Sequence, residues 1–279
     1  MSADPERTSE ARAAAELALV RVVHQCGGKP EFVLLGGLVP QLLCSKAAFR
    51  HAGTTDVDVQ LDLEIASGSK GAVRLERALE LAGFVPDVER IWRWQLLTAT
   101  GRKAEVKFEL LADRDDQPGG VVVKFDDCVN LGAANLHGTG YAARDAHEMT
   151  ITARDGGVDR AVVVNVTGVA GFLMAKAAAA KGRSKARDWY DIVFVLLHND
   201  EHIDGAAAVL TAFGSVAIAA RTLLLELQAN FADPGSQGTS AYIDQMTVDH
   251  PDLDATELAA DAMLAVAAFC DKLLTEPSP

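Results

Sequence analysis

The chain has few cysteines, and spacing pairs none of them. Cys26, Cys44, Cys128 and Cys270 stand far apart among 279 residues, with no Cys-x-x-Cys and no neighbouring Cys/His set. That pattern excludes a structural zinc module and a small disulfide scaffold. Reduced, mostly buried thiols in a cytoplasmic protein are the expectation. Basic residues are scarce too: 26 Lys and Arg against 39 Asp and Glu leave a net charge of −13. A field of that sign repels nucleic acid at long range and argues against broad, non-specific DNA or RNA binding. No apolar run reaches the roughly eighteen residues of a membrane span, since GVAGFLMAKAAAAKG is broken by lysines. The polar start MSADPERTSEAR lacks the apolar stretch of a signal peptide.

What is present is enough apolar residue for a core, 49% of the chain, near the length at which one core divides. Residues 1–10 read as disordered, 11–166 as an α/β domain and 167–279 as a helical C-terminal domain. ARAAAELALVRVVHQCGG predicts a helix stopped at Gly27 and Gly28. EFVLLGG predicts a buried strand ending in a glycine pair, and LVPQLLCSKAAF a helix with Pro40 in its first turn. VRLERALELAGF predicts an amphipathic helix closed by Gly83. RIWRWQLLTA and KAEVKFELLA predict antiparallel strands joined at TGRK. The Gly- and Asp-rich region 114–165 yields strands at VVVKF, MTITA and AVVVNV. The fold class expected is α/β (α+β), a mixed sheet followed by a mainly helical part.

The stretch GTTDVDVQLDL carries the first chemical signal. Its alternation puts Val57, Val59, Leu61 and Leu63 on one face and Asp56, Asp58, Gln60 and Asp62 on the other. Like charges side by side on a sheet are destabilising, so either water solvates that face or a cation sits on it. Asp56 and Asp58 stand where one or two divalent ions could bridge them. Glu109 on a later alternating strand is the preferred third carboxylate, with Glu105 second. Upstream, Gly36 and Gly37 form a strand-to-helix turn whose backbone N–H groups could approach an anion. Asp62 is read as solvent-facing or as supporting the pair. His51 is read as a loop histidine, with a phosphate contact as the alternative. Trp92 and Trp94 are read as core or interface, with base stacking as the alternative.

A second signal lies in FLMAKAAAAKGRSKARDWYDIVFVLL. Lys176 and Arg183 are seven apart, two turns along one helix face, and Asp188 and Asp191 share another stripe. Lys181, Arg183, Lys185 and Arg187 are four bases in seven residues, a local candidate for an RNA or nucleotide phosphate or simply a soluble helix face.

The order Gly-Gly, helix, Asp-x-Asp strand resembles the nucleotidyltransferase superfamily. With the Lys176 helix and the Arg-Asp-x-x-Asp stretch it resembles the AbiEii/AbiGii class, toxins of abortive-infection toxin–antitoxin pairs. GYAARDAHEMTI followed by VNV also resembles that class, and the resemblance covers roughly residues 30–197. It implies an NTP-dependent enzyme moving a nucleoside monophosphate to an acceptor, with a two-ion magnesium site. Gly36 and Gly37 would hold phosphate oxygens and Asp56 and Asp58 the metal, with Glu109 the third metal carboxylate on the strand pattern alone. Lys176 would meet the triphosphate, Asp188 would act in catalysis, and Arg183 and Asp191 would serve nucleotide binding. The resemblance further implies an RNA (tRNA) acceptor and an antitoxin partner. A small-molecule nucleotidyltransferase of the antibiotic-modifying type and a non-catalytic nucleotide- or partner-binding scaffold are the alternatives.

Overall fold

The computed structural model describes residues 8–28, 30–61, 70–97, 104–183, 185–200, 202–216 and 218–275. By its internal contacts the chain divides into two units, Met1–Val39 with Gly53–Thr167 and Pro40–Ala52 with Gly168–Pro279. The architecture is mixed α/β with a mainly helical C-terminal part.

In the first unit, α1 (Ser9–Gln25) starts where the Thr8 side chain accepts from Ala11 N at 3.1 Å. Ser9 and Glu10 are thus helical rather than disordered, and residues 1–7 lie outside the described residues. Strand β1 (Phe32–Leu35) runs through a 3-10 turn, Gly36–Leu38, into the short helix α2 (Val39–Leu43). There follow β2 (Asp56–Leu61), α3 (Lys70–Leu81), β3 (Val85–Pro86), β4 (Arg93–Leu97) and β5 (Ala104–Ala112). Then come β6 (Val122–Lys124), β7 (Gly132–Asn135), α4 (Gly140–Arg144), β8 (Ala146–Asp155) and β9 (Val158–Thr167). The strands form one mixed sheet in the order β3-β4-β5-β2-β1-β9-β8, with β7 on β5 and β6 on β7. Strand β2 lies antiparallel to β1 and parallel to β5. Strands β4 and β5 are antiparallel as expected, while their TGRK connection lies outside the described residues.

Alternation gives this sheet two unlike faces. Phe32, Leu34, Val57, Val59, Trp94, Phe108 and Leu110 are all buried on one of them, and Phe32 and Phe84 both meet the Phe108 ring edge-on. At roughly 25 cal/mol per Å² of apolar surface removed from water, this face is the unit's main source of stability. The other face carries the acidic residues of β2. One end of it is closed by Val33, Leu35, Leu111, Ala134 and Ala142 of α4, with Trp92 packed against them. Trp92 and Trp94 are therefore packing residues of opposite faces.

Strand β7 escapes sequence reading because GAAN has little β propensity. Its small residues are needed there, since a Cβ on Gly132 would stand 2.8 Å from the Ile91 side chain. Strands β8 and β9 outrun the apolar runs MTITA and AVVVNV because most of this ten-residue-a-side hairpin is solvent-facing.

In the second unit, residues 40–52 pack with α5 (Val169–Arg183), α6 (Ala186–His198), α7 (Gly205–Phe213), α8 (Ile218–Ala229), α9 (Gln237–Asp249) and α10 (Ala255–Thr275). Helix α6 is central, packed by α5, α9 and α10. Its Trp189, Tyr190 and Phe194 are buried with Tyr242 of α9. Helix α2 stops at Leu43 rather than running to Phe49. The cause is Asp200: its N–H donates to Leu43 O at 2.8 Å, and its carboxylate takes Lys46 N at 2.6 Å and the Ser45 hydroxyl. Among the described residues no helix is long and apolar enough to cross a membrane. The four cysteines are free thiols, and burial pushes those of Cys44 and Cys270 up to about 12.

Candidate functional site

Leu35, the last residue of β1, lies opposite Asp58 of β2. The next residue, Gly36, turns at φ +78°, in the left-handed region that an L side chain disfavours. A Cβ there would overlap the Asp58 carboxylate, standing 2.7 Å from both its Cβ and Cγ. A Cβ on Gly37 would stand 2.8 Å from Thr54 Oγ1. That hydroxyl oxygen accepts from Asp56 N at 3.1 Å and so fixes the start of β2. The two glycines are thus the reason the turn can lie directly on the strand that bears the aspartates. Asp56 is buried and Asp58 half-buried.

Across the sheet, the register puts Lys107 beside Asp56 and Glu109 beside Asp58, with Arg93 beyond Glu109. Lys107 Nζ stands 3.3 Å from Asp56 Oδ1. Arg93 donates through both Nε, at 2.7 Å, and Nη2 to a single oxygen of Glu109. Glu109 is therefore in the expected row, but its carboxylate is held by a guanidinium. Glu105 is exposed and precedes the first β5 residue paired with β2. Asp62 lies outside the described residues.

For a metal ion the donor set matters. Two carboxylates on one strand face offer the hard oxygen ligands magnesium prefers, and the absence of a side chain on Gly36 lets the Asp58 carboxylate lie against the turn. Asp56 and Asp58 fit one such ion. Among the described residues, however, Asp56, Asp58 and Glu109 do not form a group with ligand atoms mutually within 4.8 Å; Asp113, Asp115 and His137 do. Asp113 also shapes the backbone there, since its Oδ2 accepts from Gly138 N at 2.9 Å and Gly140 N at 2.8 Å, at the start of α4. Nothing in the sequence pattern singled this trio out, since its members are 24 residues apart at the widest.

The helical unit holds a second charged cluster of its own. Lys176 Nζ lies 2.9 Å from Asp188 Oδ1 and 2.8 Å from Asp191 Oδ2, and all three residues are buried. His51 lies in a loop as expected and is buried there, with Nε2 2.9 Å from Asp191 Oδ1 and its ring against Tyr190 and Phe194. The Tyr190 hydroxyl accepts from Ala52 N at 3.2 Å. Burial of this depth is tolerable only because each charge meets its opposite. Of the basic run, Lys181 pairs with Glu226 at 3.2 Å, Lys185 and Arg187 are half-buried, and the Arg183 side chain lies outside the described residues.

No protein-family model matches the chain. No curated protein matches it. Among solved structures, one similar chain is a "putative nucleotidyltransferase from H. pylori", with a TM-score of 0.45 and 14% identity over 95% of this chain and 97% of that one.

Proposed function

We propose that the protein is a nucleotidyltransferase that moves a nucleoside monophosphate from an NTP to an acceptor. The observation that carries this reading is the close approach of the Gly36–Gly37 turn to the Asp56–Asp58 strand. A glycine turn beside two carboxylates is an arrangement for a metal-bound polyphosphate. Asp56 and Asp58 would hold magnesium, which when bound supplies charge neutralisation at the phosphates. The chain's own part is positioning: the turn holds phosphate oxygens, and the sheet fixes the carboxylates in line with them. Lys176 is held between the Asp188 and Asp191 carboxylates, one ammonium against two negative charges.

RNA is the acceptor we favour, on the resemblance to the toxin class, with an antitoxin as the matching partner. The test mixes purified protein, magnesium, each labelled NTP in turn and total RNA, with Asp58→Ala as control. Label on RNA that vanishes in the variant is the expected result. Label confined to a small molecule would select the antibiotic-modifying alternative. A non-catalytic scaffold is favoured by one observation, the Arg93 hold on Glu109, and label on no acceptor at all would establish it.

A further inference from the structure

We propose that Lys107 stands in for one of the two metal ions, so that the Asp56–Asp58 strand takes a single divalent cation beside a fixed ammonium. This rests on the nucleotidyltransferase reading of that strand. It departs from the two-ion site which the resemblance implies.

The register lays the charged residues of three neighbouring strands out as two rows. One row runs Arg93, Glu109, Asp58; the other runs Gln95, Lys107, Asp56. In the first row the guanidinium of Arg93 is committed to Glu109. In the second the ammonium of Lys107 is committed to Asp56, 3.3 Å from Oδ1. Within these two rows, two cations thus stand among three carboxylates.

A two-ion site sets its metals about 3.5–4 Å apart with carboxylate oxygens bridging them. At Asp56 the ammonium already stands 3.3 Å from Oδ1, one of the oxygens a bridge would use. A second dication there would face a cation held by the sheet itself, because the Lys107 backbone N–H donates to Thr55 O at 2.9 Å. The Lys107 side chain is only 25% exposed, so water screens the repulsion poorly. Lysine suits this place: it is a compact point charge, able to meet a phosphate oxygen as a metal would. Glu109, neutralised by Arg93, offers no replacement for the ligand that a second ion would need.

The experiment counts bound Mn2+ by equilibrium dialysis in the presence of a saturating, α,β-non-hydrolysable NTP, with free Mn2+ read by electron paramagnetic resonance. The wild-type chain is expected to hold one Mn2+ per bound nucleotide. Lys107→Glu, which restores a carboxylate, is expected to hold two. Lys107→Gln is expected to bind Mn2+ more tightly than wild type without nucleotide, and Lys107→Arg to match wild type in stoichiometry. Two Mn2+ per nucleotide in the wild type overturns the proposal and leaves the nucleotidyltransferase reading standing. Unchanged Mn2+ affinity in a folded Lys107→Gln protein also overturns the proposal. Absence of both Mn2+ and nucleotide from the wild type overturns that reading, and the proposal with it.

Discussion

Gly36 rests on the carboxylate of Asp58, so closely that a single added methyl group would occupy the space of the aspartate side chain. Two costs follow for Gly36→Ala. The left-handed backbone, at φ +78°, adds about 1–2 kcal/mol for any L side chain. Crowding against Asp58 adds about 1–3 kcal/mol more. Gly27 provides the control, because its φ of +74° is nearly the same and a Cβ there meets nothing within 4 Å. Urea denaturation is expected to show a clearly larger loss for Gly36→Ala than for Gly27→Ala. Nucleotide binding is expected to fall only in the former. Equal losses for the two variants would mean that the Gly36–Asp58 contact carries no energy.

The ion pairs of Lys176 and Lys107 predict stability losses of different size. Lys176 is 7% exposed and is shared by two buried carboxylates. Removing its charge as Lys176→Met takes the ammonium from both, while His51 stays on Asp191, and is expected to cost about 3–5 kcal/mol. Lys107, a quarter exposed and on one carboxylate, is expected to cost less, about 1–3 kcal/mol as Lys107→Met. Thermal unfolding of the two variants measures the difference. A mild effect at Lys176 would show that water reaches the cluster.

Particular residues show how far local pattern reached. Asp56 and Asp58 are legible because a strand's period of two forces them to one face, and Gly36–Gly37 because a glycine pair ends an apolar run. Lys176, Asp188 and Asp191 are legible as stripes on a helix. What these groups meet is not. The His51–Asp191 pair joins residues 140 apart, the Lys107–Asp56 pair residues 51 apart, and the Arg93–Glu109 pair depends on strand register. Lys107 in particular reads as one more polar position of an alternating strand until β5 is laid parallel to β2. Residues 40–52 likewise carry no local sign that they pack with the helices rather than with the sheet.

His198 gives the helical unit an acid-sensitive point. Burial holds its imidazole below the ordinary histidine value, against a weaker opposing pull from Asp261. Its ring packs against Phe49 and Phe194, with Nε2 3.4 Å from the Tyr242 hydroxyl; His250 also packs on Phe49. Because the folded value lies below the unfolded one, the unfolded chain takes up a proton first as pH falls. The stability contribution is therefore complete above the unfolded value, near 6.5. It declines as pH drops from there toward the folded value, by at most about 1.4 kcal/mol per pH unit. Chemical denaturation between pH 7.5 and 5 is expected to show this decline in the wild type and a flatter profile in His198→Phe. Parallel profiles would remove His198 as the cause.

Asp58 and Glu109 are neighbours in register yet differ in what holds them, and activity should separate them. Asp58 faces the glycine turn, whereas Glu109 is tied to Arg93. If Asp58 ligates the ion, Asp58→Asn removes a charge the metal needs, and nucleotide transfer is expected to fall more than about 100-fold. A residue that only supports the ligands from outside costs about 10–100-fold when altered. Glu109→Gln is expected at or below the lower end of that range, because its carboxylate is already neutralised. Arg93→Gln sharpens the contrast. It frees the Glu109 carboxylate beside Asp58, so Mn2+ should bind more tightly to Arg93→Gln than to wild type. The double variant with Glu109→Gln should lose that gain. A fall in transfer for Glu109→Gln as deep as that for Asp58→Asn, with Mn2+ binding lost in both, would instead place Glu109 among the ligands. Arg93 would then have to release it whenever nucleotide enters.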